Sequence, residues 1–251
     1  MNTAMLIGLI ALVGFGAAQF LLIASLRSGR RLRFRAIPAF SLLRGQMGRA
    51  IESGRDLHVS IGTGGISGED TATTLAGMAV VEYLTEEAGA SGIAPVATMS
   101  DPTSLLLAED AMRRPYLRQG DLSNYPRLSA RLMAMNATQY AAATMDLLNH
   151  EPVLANLMSG AFGAEIGLID QAAHNNDLPQ FSGAADARAL SIMATSTDHL
   201  LVGEEMYAAK AYLRAQAPHL ASLRAADLVR IAIVVLILIL FVVSVLSELR
   251  A

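Results

Sequence analysis

Two long apolar runs frame this chain, and between them the hydrophobic positions fall into short clusters, each followed by small polar residues. The first run, residues 4–26, carries no charge, and the last, 228–247, is almost wholly Ile, Val and Leu from Ile231 onward. At about 1.5 Å rise per residue, each can cross or nearly cross a hydrocarbon layer about 30 Å thick, so each predicts a transmembrane helix. Residues 39–53 predict a further helix, with Phe40, Leu43, Met47 and Ile51 on one face. After it a grammar recurs in which a short apolar run ends in small or polar residues and a helix follows. The runs are 57–61, 93–99, 131–135, 153–158 and 189–194, and the helices that follow them end near 88, 118, 149, 175 and 216. Asp101 is placed to cap the second of these helices, with Pro102 at its first position, where a missing N–H costs nothing. Strands alternating with helices of this length imply right-handed crossovers and a mostly parallel sheet covered on both faces. The expected fold is therefore a doubly wound, Rossmann-like α/β domain over residues 36–226, with one helix running from Pro218 into the second span.

Charge adds an orientation. Arg27, Arg30, Arg31, Arg33 and Arg35 follow the first span with no acid among them, and residues 27–35 read as a basic cytoplasmic flank. The domain is then expected on the cytoplasmic side of the inner (plasma) membrane with both termini outside, since two spans return the chain to its starting side. A cleaved signal peptide would carry its positive charge before the apolar stretch, and no lysine or arginine occurs in the first 26 residues. Cysteine is absent, which excludes disulfides and thiolate metal sites, and a net charge of −3 gives no reason to expect nucleic acid.

The charged fraction is 16%, below the roughly 25% usual in soluble chains. The spans explain part of the deficit. Elsewhere alanine stands where solvated helices carry Lys and Glu, as in residues 137–144, and small residues on helix faces permit close approach of a second subunit. A homo-oligomer is expected, with membrane lipid as the other partner. The single lysine, Lys210, sits among eighteen arginines, and nothing around it suggests the desolvated pocket of a Schiff-base residue.

Candidate chemistry concentrates where the strands end. Ligands of open α/β sheets collect at the carboxyl ends of the strands, and a glycine-rich turn before a helix directs N–H groups at an anion. Residues 62–70 form the most glycine-rich such turn, which makes Gly62, Gly64 and Gly65 candidate ligand contacts together with His58, Asp101 and Glu165. The third glycine of the dinucleotide fingerprint is replaced by Ser67, and no Gly-Lys-Ser/Thr follows. Glu69 and Asp70 would repel a phosphate. Asp101, Glu165, Asp198, Glu204 and Glu205 are read as acids at or near helix starts, where carboxylates complement the helix dipole. The five histidines show no metal-ligand spacing, and no Gly-x-Ser-x-Gly elbow occurs, so no metal, cofactor or catalytic residue is assigned.

Four segments, 58–65, 71–77, 160–165 and 203–213, carry a resemblance. Together they resemble an uncharacterised bacterial membrane-anchored family, a domain of unknown function seen in Chloroflexi and related phyla. The resemblance implies no activity; it implies that these segments form a joint site or a joint interface.

The sequence thus supports a membrane-anchored structural or scaffolding protein that self-assembles through its cytoplasmic α/β domain. The alternative is a membrane-tethered domain that binds, or acts on, a small polar or phosphorylated metabolite.

Overall fold

The computed structural model describes residues 3–27, 34–89 and 93–248. The chain divides into two compact units, one formed by the terminal helices and the other by Ala36–Arg214. In the first unit α1 (Thr3–Arg27) and α10 (Ala217–Glu248) pack on one another. Among the described residues one helix, Ala217–Val242, is long and apolar enough to cross a membrane, with a mean hydropathy of 2.8. Its large apolar side chains from Ile231 to Val242 are all exposed, so no protein core accounts for them. Among the described residues the apolar stretch of α1 is Leu12–Arg27, so the structure shows the C-terminal span and not the first one at crossing length. Arg30, Arg31 and Arg33 of the basic flank lie outside the described residues.

The second unit contains α2 (Pro38–Ser53), β1 (Asp56–Gly62), α3 (Thr71–Ala88), β2 (Val96–Met99), α4 (Pro102–Gln119) and β3 (Ala130–Leu132). It continues with α5 (Ala137–His150), β4 (Val153–Ala161), α6 (Ile166–Asn175), β5 (Gln180–Ala184), α7 (Ala187–Met193), β6 (His199–Val202), α8 (Glu204–Tyr207) and α9 (Ala209–Arg214). The six strands form one sheet in the order β3-β2-β1-β4-β5-β6, and every neighbouring pair is parallel. This is a Rossmann-like α/β arrangement, with the direction of winding reversing between β1 and β4.

Alternate residues of the strands serve two cores. Leu57, Val59 and Ile61 of β1, with Ala97, Met99, Ala155 and Leu157, pack with Phe40, Leu43 and Met47 of α2, Val80 and Leu84 of α3, and Met112 of α4. Val96 and Met158 belong instead to the core of Tyr140, Leu147, Ile166 and Ile169 on α5 and α6. Burial on both faces is why the strands read as continuous apolar runs rather than alternating ones.

The last third of the domain departs from expectation. Residues 189–194, read as a strand, lie mostly in α7, which is capped by Asp186, whose carboxylate accepts the N–H groups of Arg188 and Ala189. The strands there are β5 and β6 on either side of it. The expected single helix to residue 216 is divided between β6, α8 and α9. Asp198 accordingly precedes a strand rather than a helix, and its Oδ2 accepts the backbone N–H of Gln180 at 2.9 Å. The compact unit ends at Arg214, and α10 is a separate continuous helix from Ala217.

Candidate functional site

Where β1 and β4 lie side by side, their following helices leave toward opposite faces of the sheet, the position at which open α/β folds bind ligands. The turn after β1 is built by its glycines. Gly62 has φ +86, a left-handed conformation, and a Cβ on it would lie 2.0 Å from the carbonyl oxygen of Ala161. A Cβ on Gly64 would meet Thr74 Oγ1 at 2.5 Å, and one on Gly65 would meet the Asp101 carboxylate at 2.8 Å. The loop is therefore wedged between the end of β4 and the β2–α4 turn.

Hydrogen bonds fix it there. Thr63 donates its backbone N–H to the Ala161 carbonyl at 2.8 Å, and Ser104 Oγ donates to the Gly64 carbonyl at 2.7 Å. Ile66 N–H donates to Thr103 Oγ1 at 3.1 Å, and Ser100 N–H to the Gly62 carbonyl at 3.0 Å. Asp101 flanks the loop on the β2 side, and Glu165 lies in the turn after β4. Oδ1 of Asp101 accepts the N–H groups of Thr103 and Ser104 and the Thr103 hydroxyl. The Thr103 hydroxyl, more than the two backbone donors, holds this carboxyl below the usual carboxylate range against the opposing effect of burial. Glu165 Oε1 accepts the Gly163 N–H at 2.7 Å, so this side chain folds back over its own turn.

The helix starts differ. Side chains cap α4 (Asp101), α5 (Asn136) and α7 (Asp186). No side chain caps α3 or α6, the two helices that follow β1 and β4, nor α2 or α8. In α6 the N–H groups of Ile166, Gly167 and Leu168 turn back to the carbonyls of Gly163, Ala164 and Glu165, whereas in α3 only that of Thr71 turns back, to Gly68, and the N–H groups of Ala72 and Thr73 have no backbone acceptor among the described residues.

His58 is not part of the loop. It is fully buried within β1, with Nδ1 2.7 Å from Asn156 Oδ1 on β4 and Nε2 2.9 Å from Thr98 Oγ1 on β2. Burial pushes its pKa down to about 4, so the imidazole is neutral. With the Asn156 carbonyl accepting from Nδ1–H, Nε2 accepts the Thr98 hydroxyl. Thr98 in turn lies 3.2 Å from the hydroxyl of Tyr140 on α5, which also bonds Ser60 Oγ and accepts the Gly62 N–H at 3.3 Å. Burial raises the Tyr140 pKa, which its hydrogen bonds partly offset. A continuous buried polar chain thus joins His58 to the glycine turn from below. Asn156, Thr98, Tyr140 and Ser60 were not singled out in the sequence, because the partners of β1 come from residues 40 to 98 positions away.

The third fingerprint glycine normally lets the helix approach the sheet. Here Ser67 stands in its place, and Gly77 makes the close approach further along α3, where a Cβ would lie 2.0 Å from the Ser159 carbonyl oxygen. A dinucleotide site would also want a free carboxylate after β2, whereas Oδ1 of Asp101 is engaged in its cap. Among the described residues no group of three or more His, Asp or Glu side chains is arranged to hold a metal ion. Lys210 Nζ lies 3.4 Å from Glu82 Oε2 as a surface ion pair.

A family described as a domain of unknown function, DUF6754, matches residues 1–250. The chain belongs to this family. No curated protein and no solved structure matches it. Three of the segments that carried the sequence resemblance, 58–65, 71–77 and 160–165, meet at the junction of β1, α3 and β4 through Gly62, Gly77 and Ala161. The fourth, 203–213, forms α8 and α9, which pack on α3, and the Glu82 carboxylate of α3 pairs with Lys210.

Proposed function

We propose that this protein is a membrane-tethered binding domain whose ligand is a small metabolite bearing an anionic group, held at the carboxyl ends of β1 and β4. One observation carries the reading: α3, which starts beside the reversal of strand order, has no side-chain cap, and the first-turn N–H groups of Ala72 and Thr73 have no backbone acceptor among the described residues, while α4, α5 and α7 are capped. Such a helix start supplies N–H donors and roughly half a positive charge. Asp101 flanks the same loop and favours a hydroxyl group on the ligand over a bare polyphosphate. The arginines of residues 27–35 support a cytoplasmic domain, with α1 as a second span and both termini outside.

Thermal unfolding of the full chain in mild detergent, screened against nucleotides, sugar phosphates and dicarboxylates, tests this reading. Ala72 is exposed in the first turn of α3, and Ala72→Glu adds a charge that the helix start tolerates but an anion does not. A saturable shift in the wild type that is lost in Ala72→Glu supports the site. No shift with any of the three classes removes it.

Self-association is a second reading, and the β3 edge of the sheet favours it. Leu106 on α4 and Leu128 and Met135 on either side of β3 are 68%, 77% and 73% exposed. A monodisperse monomer across a wide concentration range in detergent would end the scaffolding reading, and a larger particle dissociated by Leu128→Glu would support it.

A further inference from the structure

The β3 edge of the sheet carries a hollow of about 490 Å³, lined by Leu106, Glu109 and Arg113 of α4 and by Leu122, Tyr125 and Arg127 of the connection from α4 to β3. Two contacts fix its wall. Asn124 donates its side-chain amide to Asp121 at 2.8 Å, which closes the turn Leu122–Asn124, and the Tyr125 ring packs edge-on against the buried Tyr116 at 5.4 Å. Next in the chain to Arg127, and outside the lining, stands Leu128 with 77% of its surface exposed.

Charge around this edge is sorted. Arg114 pairs with Asp110, Arg118 with Glu86 at 2.6 Å and Arg131 with Glu151 at 2.5 Å. Glu109, Arg113 and Arg127, all exposed and all lining the hollow, form no ion pair among the described residues. The unmatched charges therefore gather around one concavity, and they are of both signs. A partner of a single sign does not suit them. An acidic surface or an anionic membrane would be opposed by Glu109, and a basic surface by Arg113 and Arg127, and like charges brought together across an interface are strongly unfavourable. A second copy of the chain brings both signs, and a two-fold axis presents them in reverse order.

We infer that this edge is a two-fold interface between copies of the chain, in which Leu128 of each copy enters the other's hollow between Leu106 and Leu122, and Arg127 of each meets Glu109 of the other. The inference rests on the self-association reading and gives it a surface and a size. A protruding leucine beside a leucine-walled hollow is self-complementary, because a two-fold axis between them seats the knob in the hole twice. Such a contact closes on itself, so it makes a pair of chains and not a ring or a filament. Apolar burial drives the association, and the two crossed pairs of Arg127 with Glu109 fix its register. The interface is independent of the anion site at β1 and β4.

The test uses the full chain in mild detergent, with gel filtration and light scattering over about a hundredfold range of concentration. A particle of two chains is expected. Arg127→Glu and Glu109→Arg each set like charges against one another across the axis and should raise the dissociation constant about tenfold or more. The double variant Arg127→Glu/Glu109→Arg restores opposite charges and should return to within about threefold of the wild type, which also shows that the single variants act through charge and not through folding. Arg49→Glu, at an exposed arginine of α2, changes the net charge as much as Arg127→Glu and should leave dissociation unchanged. A wild type that stays monomeric overturns both this interface and the self-association reading. An oligomer larger than two chains, one that Arg127→Glu leaves intact, a double variant no tighter than the singles, or equal weakening by Arg49→Glu overturns this interface alone and leaves self-association to another surface.

Discussion

The phenolic oxygen of Tyr140 accepts the backbone N–H of Gly62 at 3.3 Å, so a side chain of α5 holds the first residue of the glycine turn from inside the protein. The same oxygen bonds Ser60 Oγ, and both residues are fully buried. Tyr140→Phe leaves these donors without their acceptor in a place that water does not reach. We expect a loss of about 2 kcal/mol, the cost of buried polar groups left unpaired. Urea unfolding of the full chain in detergent, followed by circular dichroism, should show a lower midpoint at unchanged slope.

His58 links stability to pH. Its pKa is about 4 in the folded protein, against an ordinary value of 6.5. Below pH 6.5 the unfolded chain takes up a proton that the folded protein refuses, so stability falls as the pH drops and the loss is complete near pH 4. The gap corresponds to a loss on the order of 3 kcal/mol. His58→Gln removes the titration, and the difference in unfolding midpoint between the two proteins should narrow or reverse between pH 7 and pH 4. A constant difference across that range would contradict the role given to the buried imidazole.

Close backbone approach separates two glycines of the same region. A Cβ on Gly77 would sit 2.0 Å from the Ser159 carbonyl oxygen, whereas one on Gly68 meets nothing within 4 Å. Gly77→Ala must push α3 away from β4 and is expected to cost roughly 2 kcal/mol or more, as overpacking against backbone does. Gly68→Ala should stay within about 0.5 kcal/mol of the wild type. Thermal unfolding of the two variants side by side checks the contrast.

Asp101 couples the start of α4 to the loop beside Gly65. Asp101→Ala removes the cap and should cost about 1 kcal/mol, while Asp101→Asn keeps an acceptor oxygen and recovers most of it. If the carboxylate also meets a ligand hydroxyl, Asp101→Asn will weaken the ligand-induced thermal shift while leaving the unliganded protein nearly as stable.

Much of the α/β alternation was legible along the chain, and the reason is visible in particular residues. Leu57, Val59 and Ile61 are β-branched or large and end at glycine, and Asp101-Pro102 announces α4. The last third lacked such signals. Gln180-Phe181-Ser182-Gly183-Ala184 is a buried strand made mostly of small and polar residues, while Ala189-Leu190-Ser191-Ile192-Met193 is a helix that is as apolar as a strand. In a run this short, periodicity does not separate the two, and the Asp186 cap was the decisive mark. The glycines at 62, 64 and 65, with Asp101 and Glu165, could be singled out as candidates because strand ends are local features. The order of the strands, and the buried chain from Asn156 through His58 to Tyr140, depend on pairings that no local pattern encodes.

The pairing of β1 with β4 also has a consequence for how the domain is made. His58 and its partner Asn156 are 98 residues apart, yet their strands form the centre of the sheet. A ribosome adding 5–20 residues per second needs roughly 5–20 s to cover that distance. In the last part of that interval, after β3 is made and before β4 begins, the newborn half-sheet of β1, β2 and β3 has a bare strand where its middle will be, with the edge of β1 unmatched. Biogenesis therefore passes through a half-built intermediate that holding chaperones would recognise, and whose hazard ends only when β4 emerges.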